Sequence, residues 1–250
     1  MVEIESAPPA RSVSLHAIGT EFTNWGSQPT YIARTHPLDQ HLELWKPARE
    51  GDALPAGTHI FPFEIALPAE LPPTFAGMLT EIGYGLKAKV DLARHLDLHT
   101  EQGFVVLPSV RAIVESPTPV RVYDKLGRNV TLELPKSVYR LGDTISGVVH
   151  LTRLGEGRSR RLKIELLTRE RGSAQGIWSE HVEREADVRI ELEHLVEDTS
   201  FPFTFRLPDS ADPSFSGEHC SLTWHISAQL EIVRAPDLAV EVEILVVEPE

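Results

Sequence analysis

The feature that most constrains the fold of this chain is a repeat of itself at an offset of 140 residues. Phe61-Pro62-Phe63 returns as Phe201-Pro202-Phe203, and Leu67-Pro68 as Leu207-Pro208. Pro73-Thr74-Phe75-Ala76-Gly77 returns as Pro213-Ser214-Phe215-Ser216-Gly217. Tyr84 then aligns with Trp224, Ala88 with Ala228, Arg94 with Arg234, and Asp97-Leu98 with Asp237-Leu238. Over 61–106 against 201–246 the ungapped alignment holds 14 identities in 46 positions, where ordinary composition gives roughly 3. One structural unit is therefore used twice. A chain of 250 residues has room for two such modules, each able to bury a core without disulfide help.

Inside the repeat the apolar residues recur every second position. Ile82, Tyr84, Leu86, Ala88, Val90 and Leu92 alternate with Gly83, Gly85, Lys87, Lys89 and Asp91, and Leu222, Trp224, Ile226, Ala228, Leu230 and Ile232 do the same in the second copy. Period two with one apolar face describes a strand packed on a core on one side and wet on the other. Phe61, Phe63 and Ile65 predict a strand, as do Phe201, Phe203 and Phe205, each ended by the Leu-Pro that follows. Further short alternating runs occur at Val13 and Leu15, Leu42 and Leu44, Val130 to Leu134, Leu162 to Leu166 and Val188 to Leu192. No long helical periodicity is present, so the pattern predicts an all-β sandwich architecture. Glu115-Ser116-Pro117-Thr118-Pro119 reads as a linker, giving domains 1–115 and 120–250. Phe63, Leu67, Tyr84, Leu86 and Ala88 are the predicted core of the first, and Phe203, Leu207, Trp224, Ile226 and Ala228 of the second.

The ordered set Gly57-Thr58-His59-Ile60-Phe61-Pro62-Phe63, Leu67-Pro68, Pro73 to Gly77 and Ile82 to Ala88 resembles the core signature of arrestin N-terminal domains. The second half, with Leu134-Pro135-Lys136, Tyr139, Leu141-Gly142-Asp143 and Gly147, is similar to the matching arrestin C-terminal domain. The ends of the copies also resemble the bacterial sporulation-control family and the arrestin-like subunit of retromer. The resemblance implies two tandem immunoglobulin-like (arrestin-type) β-sandwich domains that act as an adaptor without an active site. The sequence departs from the family in having no Pro-Pro-x-Tyr motif, since Pro72-Pro73-Thr74-Phe75 is not one, so recruitment of ubiquitin ligases is not expected. The last strand ends near Val247, so a C-terminal tail that latches the molecule is not expected.

The sequence carries no serine-hydrolase elbow, Walker loop, dinucleotide fingerprint, paired CxxC or HExxH motif. The chain is read as non-enzymatic, with no cofactor and no metal. His95-Leu96-Asp97-Leu98-His99 sets two imidazoles and a carboxylate on one strand face. Alternate residues on a strand lie about 7 Å apart, too far to share one ion unaided, and the second copy carries Ala235 and Ala239 there. A wet strand face is the simpler reading. Arg158, Arg160 and Arg161 form the densest basic cluster in a chain of net charge −13, next to Gly155-Glu156-Gly157. They are the candidate partner-binding residues, since arginine forks suit phosphate or carboxylate; a solvated hairpin tip is the plain alternative. Cys220, the one cysteine, reads as a small structural residue, and Trp45, Trp178 and Trp224 as packing residues. Trp25, beside Gly26, is the tryptophan expected to be exposed.

The negative charge disfavours nucleic acid and anionic lipid as partners. No 18-residue apolar stretch spans a membrane, and Met1-Val2-Glu3-Ile4-Glu5-Ser6 does not resemble a secretion signal. With a single cysteine, the cytoplasm is the expected compartment. The leading function is a non-catalytic adaptor that binds a protein through sheet edges and loops. A bacterial regulatory protein of sporulation-control type, and a carbohydrate-binding or enzymatic sandwich, are the alternatives. One further expectation concerns the first domain. Val2-Glu3-Ile4 matches Val149-His150-Leu151, and Val13-Ser14-Leu15 matches Leu162-Lys163-Ile164, so about eighteen residues of copy two lack an equivalent in copy one. The first domain is therefore expected to lack its first strand. It would then expose a sheet edge able to take up another strand, for which a homodimer is the favoured occupant.

Overall fold

The computed structural model describes residues 2–4, 10–49, 52, 54, 57–93, 95–108, 120–123, 130–152, 159–192, 199–234 and 236–249. Among these residues there are strands and turns and no helix. The chain divides into two compact units, Met1–Ser109 with Gly217–His219, and Val110–Ser216 with Cys220–Glu250.

The first unit contains β1 (Val2–Ile4), β2 (Ala10–Trp25), β3 (Tyr31–Thr35), β4 (Asp39–Trp45), β5 (Gly57–His59), β6 (Phe75–Ala76), β7 (Thr80–Leu92) and β8 (Leu98–Phe104). Alternation makes β2 and β7 long: Val13, Leu15 and Ala17 of β2 and Ile82, Tyr84 and Val90 of β7 are buried, while Lys87 and Lys89 face water. β2 pairs with β7 along one edge and with β4 and then β3 along the other; β8 and β6 pair with the far edge of β7. β1 and β5 form a separate two-stranded ladder, with Val2 opposite His59.

The second unit contains β9 (Val120–Tyr123), β10 (Val130–Leu134), β11 (Val138–Arg140), β12 (Thr144–Leu151), β13 (Ser159–Ala174), β14 (Ile177–Glu191), β15 (Thr199–Arg206), β16 (Phe215–Ser216), β17 (Cys220–Ile232) and β18 (Leu238–Val247). One sheet runs β15-β12-β10-β9 and the other β11-β18-β17-β13-β14, with β16 added to β17. Their inner faces meet in one core. Leu132, Ile145, Val149 and Phe203 come from the first sheet, with Leu207 just past the end of β15, and Leu162, Ile164, Trp224, Ile226 and Val242 come from the second. Each such side chain contributes about 1.5–3 kcal/mol of apolar burial. Gln175 and Gly176 join β13 to β14, both at positive φ (55° and 76°), the conformation that a two-residue hairpin turn needs.

The repeat has a physical basis in three hydrogen-bond devices used twice. The Tyr84 hydroxyl donates to the Pro72 carbonyl at 2.6 Å, and the Trp224 indole N–H donates to the Asp212 carbonyl at 3.0 Å. Asp97 accepts from the Leu92 N–H, and Asp237 from the Ile232 N–H, each at 3.2 Å. Thr74 and Val106 exchange a backbone and a side-chain bond, as do Ser214 and Val246. The two units are tandem β-sandwich modules, as the alternation predicts.

The first module departs from the sequence reading on one side. Residues 60–68 hold no strand, and Phe63 and Leu67 are 48% and 51% exposed where Phe203 and Leu207 are 5% and 0%. Leu86 and Ala88 are half-buried rather than buried. The cause is the length of the ladder. β12 pairs with β15 over eight residues and is backed by β10 and β9, whereas β1 holds β5 over three. Among the described residues no ladder beyond His59 turns alternate side chains inward. The registers also place Leu15 where the second module has Ile164, as expected. Val2, however, stands where the second module has Leu151 rather than Val149.

Candidate partner-binding edges

The open side of the first module is read most directly from β8. Its inward positions are Thr100 and Gln102, both exposed. The same positions of β18 are Val240 and Val242, at 3% and 7% exposure. In the second module β10 and β9 pack against β18, whereas among the described residues the main neighbour of β8 is its ladder partner β7. The sequence is adapted to this, since polar residues replace valines where the cover is missing. Ile60, Phe63, Leu67, Val105 and Leu107 are exposed apolar side chains of the same module.

Of the basic cluster, Arg158 and the side chain of Arg160 fall outside the described residues. Arg161 lies on β13, its Nε 2.6 Å from a Glu191 oxygen and its Nη1 3.8 Å from Glu231. The Glu191 carboxylate, followed by Glu231, raises the Arg161 pKa. Arg161 is thus already engaged by acids of the neighbouring strands. The same outer face of the sheet carries further pairs: Lys163 and Arg184 on Glu165, Arg169 and Arg171 on Glu180, and Arg169 with Glu241 at 2.5 Å. His225 also reaches Glu241, at 3.0 Å, and that bond holds the Glu241 carboxyl below its ordinary range. A face balanced in this way presents little net charge to a partner.

The tip of the β13–β14 hairpin differs. Trp178 is 61% exposed, and Ile177 and Val182 stand out beside it. The Arg171 guanidinium lies 5.0 Å from the Trp178 ring centre. Trp178 is therefore not a packing residue, because β14 is an outer strand whose tip passes the end of the core. Trp224 is fully buried. Trp45 and Trp25 are half-buried, and Trp25 stacks on Tyr31 at 5.8 Å, so it is less exposed than expected. Cys220 is buried, as befits a structural cysteine.

His95, Asp97 and His99 are not gathered into a ligand set. Asp97 is held by Lys89 at 2.8 Å and by the Leu92 N–H, which lower its pKa, Lys89 contributing most. Among the described residues, metal-type donor atoms converge instead at His16, Asp39 and His41. Nothing in the sequence alternation marks that trio. No helix of the described residues is long and apolar enough to cross a membrane.

Comparison with known proteins gives one family. The sequence model described as arrestin (or S-antigen), N-terminal domain, matches residues 2–112 and 198–250, together well over half of the chain. No curated protein matches.

Proposed function

This chain belongs to the arrestin family, whose members are in general non-catalytic adaptors and scaffolds, and from that premise we propose that it holds a protein partner by strand addition at the open side of its first module. The observation that carries this reading is the contrast between the copies. The chain covers one sheet of the second module with its own β10 and β9. In the first module the equivalent ladder has two strands among the described residues, with Phe63 and Leu67 exposed beside it. An extended segment fits such a place because it satisfies strand N–H and C=O groups while its alternate side chains cover apolar surface. The partner we name is a second copy of the chain, joined edge to edge about a twofold axis. Light scattering across a concentration series tests it. A dimer mass that falls to that of the monomer in Phe63→Glu supports the reading. A monomer at every concentration removes the homodimer.

The exposed hairpin tip supports a second contact, since aromatic side chains flanked by arginine are favoured at protein interfaces. Arg158 and Arg160 are the remaining candidates for contact with an acidic segment.

A further inference from the structure

We propose that His16, Asp39 and His41 form a binding site for a divalent transition-metal ion of the zinc class. β2 and β4 run antiparallel with His16 directly opposite His41. Their rings stack at 3.7 Å between centres and 18° between planes. Asp39 lies two residues before His41, so its side chain leaves β4 on the same face. One carboxylate oxygen of Asp39 stands 2.7 Å from the His16 Nε2 and 3.5 Å from the His41 Nε2. All three donor atoms lie within 4.8 Å of one another. A tetrahedral ion with bonds of about 2.0–2.2 Å needs donors roughly 3.0–3.5 Å apart. The trio reaches that spacing by small side-chain rotations, which are available because Asp39 and His41 are 55% and 71% exposed.

Two imidazoles and one carboxylate select a transition metal over magnesium or calcium, which prefer all-oxygen sets. Three protein donors also leave a place for water or for a ligand from a partner. Nearby cations do not oppose the charge: Lys87, the β7 neighbour of His16, is paired with Glu101 at 3.0 Å, and Lys46 with Glu43 at 3.4 Å.

The second module supplies an internal contrast. The registers place Glu165 where His16 stands, Asp187 where His41 stands and Arg184 where Asp39 stands. There Glu165 pairs with Arg184, and Asp187 with Arg189 at 2.7 Å. A salt bridge needs only one acid and one base at these positions, and the second module has that arrangement. The first module has a base, an acid and a second base that converge on one oxygen, which exceeds what cross-strand pairing requires. Both metal-bearing strands would be braced by the ion, and β4 is paired only with β2 among the described residues.

The test is calorimetric titration of the full chain with zinc chloride alone, alongside magnesium and calcium chlorides, with thermal unfolding followed in parallel. The wild type is expected to bind one zinc ion at this site and to melt at higher temperature with it, and not to respond to magnesium or calcium. His41→Ala and Asp39→Asn change exposed side chains, so the fold survives. Each is expected to weaken that binding about tenfold or more, and His95→Ala/His99→Ala to leave it unchanged. Wild-type affinity and stoichiometry in both His41→Ala and Asp39→Asn would overturn the proposal, as would no zinc binding by the wild type at about 1 mM.

Discussion

Phe63 and Phe203 occupy the same position of the repeat in different surroundings, so truncating each to alanine separates sequence pattern from packing. The Phe203 ring is 5% exposed, 5.4 Å from the Phe205 ring, and lies over Gly147, its cross-strand partner. Its removal loses the transfer energy of the ring and leaves a void that Gly147 cannot fill, a loss of about 3–5 kcal/mol. Phe63 is 48% exposed and outside any ladder. Half of an aromatic side chain of about 150–250 Å² at roughly 25 cal/mol per Å² bounds its loss at about 2–3 kcal/mol. The true loss is smaller, because no closed cavity forms and the unfolded chain already buries part of the ring. Urea unfolding at low protein concentration, followed by fluorescence and circular dichroism, measures both, with the two modules fitted as separate transitions. At a slope of about 1–3 kcal/mol per M, a loss of about 3–5 kcal/mol moves the midpoint of the second module by roughly 1–5 M. Equal losses for the two variants, or a larger one for Phe63, would refute the claim that the first module is open on this side.

Two further outcomes are expected. Burial, and then Glu183, raise the pKa of Glu185 above its ordinary 4.5; a raised acid favours the folded state below its unfolded pKa, and that support is lost as pH rises through the folded value. Glu185→Gln keeps the contact with Thr168 and should raise the melting temperature at pH 7, with the gain shrinking as pH falls through the raised folded value and gone below the ordinary 4.5; a gain that persists undiminished in acid would mean the charge is not its source. Replacing Arg158, Arg160 and Arg161 together with glutamine should weaken partner binding more at low salt than at high salt, while Arg161→Gln alone, whose guanidinium is already paired, should change it little; unchanged affinity in the triple variant would remove this surface from the partner site.

Much of the fold was legible because the repeat and the alternation report backbone geometry. Tyr84 and Trp224 differ as residues but donate to carbonyls at equivalent positions of the repeat, Pro72 and Asp212, and Asp97 and Asp237 each close the equivalent turn. Phe63 misled because alternation states which residues would share a face and not whether a ladder exists to hold them there. Thr100 and Gln102, facing where Val240 and Val242 face, carried that information in the sequence, and only the comparison of burial gives them meaning. Trp178 misled because an aromatic on a strand reads as core, and its place at the end of a long outer hairpin is a property of strand lengths. His16 and His41 stand far apart in sequence and meet only through the register of β2 and β4.

Among the described residues the ladder joining β13 to β14 is the longest in the second module, and it is closed by a turn of two residues. Its contacts are local, so little loop entropy opposes them and the arm can zip from its turn on the microsecond scale of hairpins. The parallel pairing of β11 with β18 is the opposite case: Val138 meets Leu245 across more than a hundred residues of chain. That contact closes only after β18 has been synthesised and seated on β17. While the last strand is absent, the edge of β17 that β18 will pair with is left without its ladder partner, and such an edge can take up a strand of a neighbouring chain.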